Sequence, residues 1–258
     1  MELMLATYTL WRRDIVRFLR QRSRVVGALG TPLVFWVLLG SGLGSSFSVG
    51  ILGVPAGGYL EYFYPGTLAL ILLFTAIFST ISVIEDRHEG FLQGVMVAPV
   101  LRIAIALGKI LGGTTLALLQ AALFLLLAPL ANAEITMTML PLLLVVLAVF
   151  AFALTGLGFV LAWMLDSTQG FHAIMNLLLF PMWLLSGAVF PPDGAAGWIR
   201  VAMRINPMTY GVTALRTVLT GPDTSGGPVS IGGPLTFIAI FGLITLALSS
   251  WSVTYRRA

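Results

Sequence analysis

Six apolar runs, each about twenty residues or longer, fill most of this 258-residue chain. They fall at residues 25–43, 62–84, 103–130, 140–165, 171–189 and 234–255. A hydrocarbon core about 30 Å thick takes roughly 20 helical residues to cross, so every run is a candidate span. Apolar residues make up 58% of the chain and charged residues 9%, against about 25% charged in soluble domains. A soluble fold of this size would have to wet more surface than these side chains allow. The runs show no ten-residue alternation of inward and outward positions, so helices are expected and not a barrel. The expected fold is an all-α polytopic membrane protein with six transmembrane helices in one domain spanning 1–258.

The net charge of +4 would suit a nucleic-acid binder, but the placement of the charges argues against one. Arg12, Arg13, Arg17, Arg20, Arg22 and Arg24 precede the first run, and Arg256 and Arg257 follow the last. Basic residues flanking apolar spans set topology and touch lipid headgroups. With Arg87, Arg102 and Lys109 they place eleven cations on one side, against Arg200, Arg204 and Arg216 on the other. The positive-inside rule then puts both termini in the cytoplasm. The N-terminal run is long enough to span and its basic region is too long for a cleavable signal, so it is read as the first span. Lys109, about two turns into the third run, is expected to snorkel to the headgroups.

Residues 1–24 carry Met4, Tyr8, Trp11, Ile15 and Phe18 at helical spacing, with Arg13, Arg17, Arg20 and Arg24 as the opposite stripe. This reads as an amphipathic helix in the cytoplasmic interface. The segment 190–233 holds apolar pieces of about ten residues broken by Pro191-Pro192, Asn206-Pro207 and Gly221-Pro222. Such pieces are too short to cross and are expected to dip into the outer leaflet. Tyr62, Phe63 and Tyr64 read as an interfacial aromatic belt, or as a rim for a passing glycan. Gln120 and Asn176 sit mid-span, suited to interhelical hydrogen bonds or to lining a path, and Gly108 and Gly112 offer a small-residue packing face. Glu61 and Asp166 fall at span ends and read as caps.

The chemistry inventory is short. Cysteine is absent, so thiol chemistry and Cys-based metal sites are excluded. Lys109 is the sole lysine and Ile110 follows it, so no phosphate-binding G-x-x-x-x-G-K-[ST] loop exists. His88 and His172 stand far apart, and no acid or base is placed beside a serine. No catalytic residue and no metal site are expected, and no nucleic-acid partner. No internal repeat supports an inverted-repeat transporter.

The remaining feature is the polar insert between the second and third runs: Glu85, Asp86, Arg87, His88, Glu89, Gly90, Phe91 and Leu92, leading to Pro99. It reads either as a solvated loop or as a short helix burying Phe91, Leu92, Val95 and Met96 while offering its charged part to a soluble partner. The run 85–100 resembles the hallmark of type-2 ABC exporter permeases, whose pattern is an acidic/Arg cluster, Gly, an aromatic, Leu and later Pro-Val. Pro65-Gly66, Leu107–Thr115, Leu185–Pro191 and Asn206–Arg216 match further family segments in order. The daunorubicin-type drug exporter branch is the most similar. Gln93-Gly94 departs from the charged residue that the family commonly carries there, which shifts the expected contact toward Glu85, Asp86, Arg87 and Glu89 with Gly90, Phe91, Leu92 and Pro99.

The resemblance implies a coupling segment at 85–102, an interfacial helix at 1–24 and re-entrant helices at 190–233. It implies a subunit of an ATP-driven exporter in a prokaryotic inner membrane, binding two cytoplasmic ATP-binding subunits and a second permease copy, identical or not. This chain would bind no cofactor; ATP and Mg would sit on the partner. The implied cargo is an amphiphilic drug-like or lipid-like molecule, with a lipid-linked oligosaccharide or polysaccharide as the alternative. A non-transporting membrane scaffold and an intramembrane enzyme are the other classes considered.

Overall fold

The computed structural model describes residues 2–42, 58–133, 135–192, 195–220 and 231–255. Most of the 44–61 connection, and the tail residues Arg256 and Arg257, lie outside the described residues. The six runs form α2 (Arg22–Gly42), α3 (Tyr59–His88), α5 (Arg102–Leu125), α6 (Leu140–Met164), α7 (Thr168–Ala188) and α10 (Gly232–Tyr255). Four further helices are α1 (Glu2–Arg20), α4 (Phe91–Val97), α8 (Gly197–Ile205) and α9 (Pro207–Thr220). At about 1.5 Å per residue the six long helices reach roughly 31–45 Å, enough to cross a bilayer. No strand occurs among the described residues.

α3 is the axis of the bundle. It is apolar on every side from Tyr62 to Ile84 apart from small hydroxyls such as Thr67, Thr75 and Ser82, and such a helix has to be enclosed. α2, α5 and α6 pack along it, and α7 lies beside its lower and upper ends. α10 packs against α6 through Ile238, Gly242, Thr245, Ser249 and Ser252, spaced alternately four and three apart. Gly156 of α6 lies against Thr245, and Gly242 against Ala153, so the two backbones approach closely. The opposite face of α10, with Ile240, Leu243, Ile244 and Leu248, is open and suits lipid.

The third run is shorter as a helix than its apolarity suggests. α5 stops at Leu125, and Pro129 sits in a 3-10 turn, Ala128–Ala131. Apolar content alone does not separate a helix from an apolar turn. α7 is broken twice by π-type turns, Met175–Leu179 and Leu184–Ala188, on either side of Pro181. Proline removes a backbone donor, and insertion turns of this kind absorb the misfit. Gly187, at φ 79°, ends the span in the left-handed region.

The aromatic triplet and the amphipathic helix pack differently from their sequence expectation. Tyr62, Phe63 and Tyr64 are neither a belt nor a rim: all three are buried. Tyr62 donates to the Gly187 carbonyl at 2.8 Å and Tyr64 to the Phe124 carbonyl at 3.1 Å, so each hydroxyl has a backbone partner in the interior. In α1 the buried stripe is Leu10, Asp14 and Phe18, while Met4 and Tyr8 face outward. The helix turns its Arg13 and Arg17 side inward, because acidic groups on α3 await them.

Candidate functional site

The last turn of α3 carries Glu85, Asp86, Arg87 and His88 on successive positions, which a helix distributes around its full circumference. Each therefore reaches a different neighbour. Glu85 bonds Arg24 of α2 and Arg17 of α1, the latter at 3.1 Å. Asp86 accepts two bonds from Arg13, at 2.6 and 2.7 Å, and further bonds from Arg17 and from Lys109 of α5. Arg87 donates to the Trp163 carbonyl at 3.0 Å and to the Leu165 carbonyl, and His88 meets the Asp166 carbonyl at 2.7 Å. Arg87 thereby closes the C-terminal end of α6, where unpaired carbonyls and the helix dipole favour a cation. Arg102 closes α10 the same way through the Val253 and Thr254 carbonyls.

Lys109 does not snorkel. Its ammonium lies buried between Asp86, Asp14 at 3.1 Å and Ser82 at 3.2 Å. A cation inside a span needs counter-charges, and two carboxylates from different helices supply them. Gly108 and Gly112 admit α1 to this side of α5: a Cβ at Gly108 would stand 2.7 Å from the Leu10 Cβ, and one at Gly112 3.4 Å from the Asp14 Cβ. Trp11 adds a bond to Thr115 at 3.0 Å. Burial raises the Asp14 pKa despite Lys109, and the bonds to Asp86 raise that of Arg13.

α4 hangs from this hub. Gly90 takes φ 75°, which turns the chain between α3 and α4. Leu92 is buried, Phe91, Val95 and Met96 are half-buried, and the Arg13 guanidinium lies 3.7 Å over the Phe91 ring. An open groove of about 660 Å³ runs between α1 and α4, lined by Leu5, Leu10, Phe91, Val95 and Pro99 among others. Of the residues singled out from sequence, Glu85, Asp86 and Glu89 share Arg17, while Arg87 points away to α6. Asp86 is fully enclosed, whereas Glu89 is 57% exposed and Pro99 lies open at the end of α4. Arg13, Arg17, Arg24, Asp14 and Lys109 complete the network and were not singled out as site residues. A lysine inside an apolar run was the available signal, since it demands a buried acid.

A second convergence lies at the opposite end of the bundle. Arg216 of α9 donates to the Gly187 carbonyl at 3.0 Å and stacks 4.2 Å over the Tyr62 ring. Asn206 donates to the Met182 and Leu185 carbonyls, at 2.5 and 3.1 Å, and holds the break in α7. Trp183 donates to the Gly66 carbonyl at 2.9 Å. Mid-span, Thr75 donates to Gln120 at 2.8 Å, whereas Asn176 faces outward from α7.

The ABC-2 type transporter family profile matches residues 6–220, which carry both convergences. The chain belongs to that family. The permease is 28% identical over 242 residues to Nodulation protein J of Rhizobium leguminosarum bv. trifolii, covering 92% of this chain and 90% of that protein. It is 24% identical over 260 residues to the putative transport permease ycf38 of Cyanophora paradoxa, covering 93% and 86% respectively. With the daunorubicin resistance ABC transporter permease protein DrrB1 of Streptomyces coeruleorubidus it shares 22% over 243 residues, covering 90% and 84%. The permease is a multi-pass membrane protein. Ion pairs join its helices, so the hub can transmit displacement between them.

Proposed function

We propose that this permease is the transmembrane subunit of an ATP-driven exporter, pushed at the hub by an ATP-binding subunit on a separate chain. One observation carries the reading. The end of α3 is ion-paired to α1, α2 and α5 and hydrogen-bonded to α6, while α4 projects from it, with Glu89 exposed at the turn and Gln93 and Val97 exposed on α4. A push on α4 enters a body that includes most of the bundle. The sequence has no phosphate-binding loop of its own, so the fuel must be burned elsewhere. The hub end is cytoplasmic in this reading, with both termini there, in a prokaryotic inner membrane. The cargo is an amphiphilic drug-like or lipid-like molecule, in keeping with the daunorubicin-resistance relative. A second copy packs on the α2/α7 face, because Asn176 there would otherwise hold an amide against hydrocarbon.

The test is substrate-stimulated ATP hydrolysis by the assembled complex, with daunorubicin as the probe. Glu89→Lys is expected to abolish stimulation and leave membrane insertion and basal hydrolysis intact, while Glu89→Gln retains part of it. Normal stimulation in the Lys variant would remove Glu89 from the transmission role.

A further inference from the structure

The three arginines at the α8 end run against the usual distribution of cations, and the structure separates them. Arg216 is turned into the bundle. Arg200 and Arg204 are exposed, one helical turn apart on α8, and make no ion pair among the described residues.

We propose that α8 is a docking site for anionic phospholipid, its Arg200 and Arg204 taking lipid phosphates while its apolar face enters the acyl chains. The helix has three distinct sides. Met203 is buried and Ile199 and Ala202 are half-buried, which seats α8 on the protein. Trp198, Val201 and Ile205, spaced three and four apart, form a second apolar side that is exposed among the described residues. The arginines occupy the third. A soluble surface has no use for the second side, and a site for free phosphate would not need it. A phospholipid satisfies both. Its phosphate matches the guanidinium fork, and its chains cover Trp198, Val201 and Ile205.

The depth of α8 agrees. Asn206, the residue after α8, is bonded to the Met182 and Leu185 carbonyls, so the helix lies level with the last turn of the α7 span. The Tyr210 ring stacks on Phe237, near the start of α10, and its hydroxyl donates to the Arg204 carbonyl at 2.8 Å. The exposed Trp198 indole, apolar with one N–H, suits the headgroup level. Asn206 and Tyr210 tie α8 to the break in α7 and to α9, so lipid held by α8 also fixes that end of the bundle. The leaflet is the outer one in the orientation proposed above; the docking itself does not depend on that orientation or on transport.

The experiment uses the full chain, which contains no cysteine. Val201→Cys carries an environment-sensitive fluorophore, in nanodiscs of phosphatidylcholine alone or mixed with phosphatidylglycerol. Blue-shifted emission, quenched by shallow lipid-borne nitroxide and not by aqueous iodide, is expected. Retained phosphatidylglycerol, counted by native mass spectrometry, should fall about fivefold for each arginine replaced by Gln, as suits a basic side chain at an anionic surface. The Arg200→Lys/Arg204→Lys variant keeps the charge but loses the fork, so it should retain more lipid than the double Gln variant and less than the parent. Gel filtration confirms that each variant is folded. Water-exposed emission, equal retention in the Gln variants, or displacement of the lipid by inorganic phosphate would each overturn the proposal. Loss of stimulated hydrolysis with Glu89→Lys is a separate readout, so the two proposals fail independently.

Discussion

Lys109 and Asp86 form an ion pair closed off from solvent, their side chains 2% and 0% exposed, twenty-three positions apart on α5 and α3. Asp86 carries Arg13 and Arg17 as well, so one carboxylate neutralises cations from two helices. Removing it takes the shared, most enclosed carboxylate from Arg13, Arg17 and Lys109 and leaves them with Asp14, Glu85 and Glu89. Breaking a buried pair costs about 3–5 kcal/mol, and the remaining carboxylates place this loss toward the lower end. Asp86→Ala is therefore expected to lower the thermal unfolding temperature in detergent by a large margin and to free α1 from α3. Unfolding curves, with proteolysis of the α1 segment as a second readout, check this.

Asp14 behaves differently. Burial raises its pKa above the ordinary 3.8, so the charged form is disfavoured in the folded state. Its contribution to stability is present below the ordinary value and is lost as pH rises through the raised one. Asp14→Asn should therefore cost least near neutral pH and most in acid, while Lys109 keeps Asp86. The stability difference between wild type and variant, followed from about pH 4 to neutrality, should move against the wild type as pH rises.

Gly108 is the point where α1 meets α5. A larger side chain there would strike the Leu10 Cβ and the Thr7 carbonyl at 3.1 Å, which are not flexible ends. Gly108→Val should undock α1 without unfolding the spans. A disulfide between cysteines placed at Trp11 and Thr115, now joined by a hydrogen bond, should form in the parent and fail in the variant.

At the other end, Gly187→Ala meets no atom within 4 Å, so its cost is the left-handed backbone alone, about 1 kcal/mol. Arg216→Leu removes a cation bonded to the Gly187 carbonyl and should cost more, about 1–3 kcal/mol. Unfolding in detergent ranks the two.

Cysteine at Asn176 should cross-link two copies in native membranes if the α2/α7 face is the shared one, whereas cysteine at Leu243, on the open face of α10, should not. Equal cross-linking at both positions would remove α7 from the interface.

The six spans and the short helix at Phe91–Val97 are legible in the sequence, because continuous apolarity and a Gly90–Pro99 frame are local signals. The partners of the charged residues are not. Arg13 and Asp86 lie seventy-three positions apart, and a helical stripe of arginines looks the same whether headgroups or carboxylates face it. Tyr62 and Tyr64 misled for a similar reason. An aromatic at a span end serves a lipid interface or an interior carbonyl, and only the packing of Gly187 and Phe124 decides.

In the proposed exporter, α1 and α4, joined through Arg13 and Phe91, move as one body when the ATP-binding subunits close. Spin labels on cysteines at Arg12 and Gln93, both exposed, measure it in the assembled complex with and without ATP. The 12–93 distance should stay constant while the 93–93 distance between the two permease copies changes. A 12–93 distance that changes on ATP addition, with the 93–93 distance fixed, would contradict it.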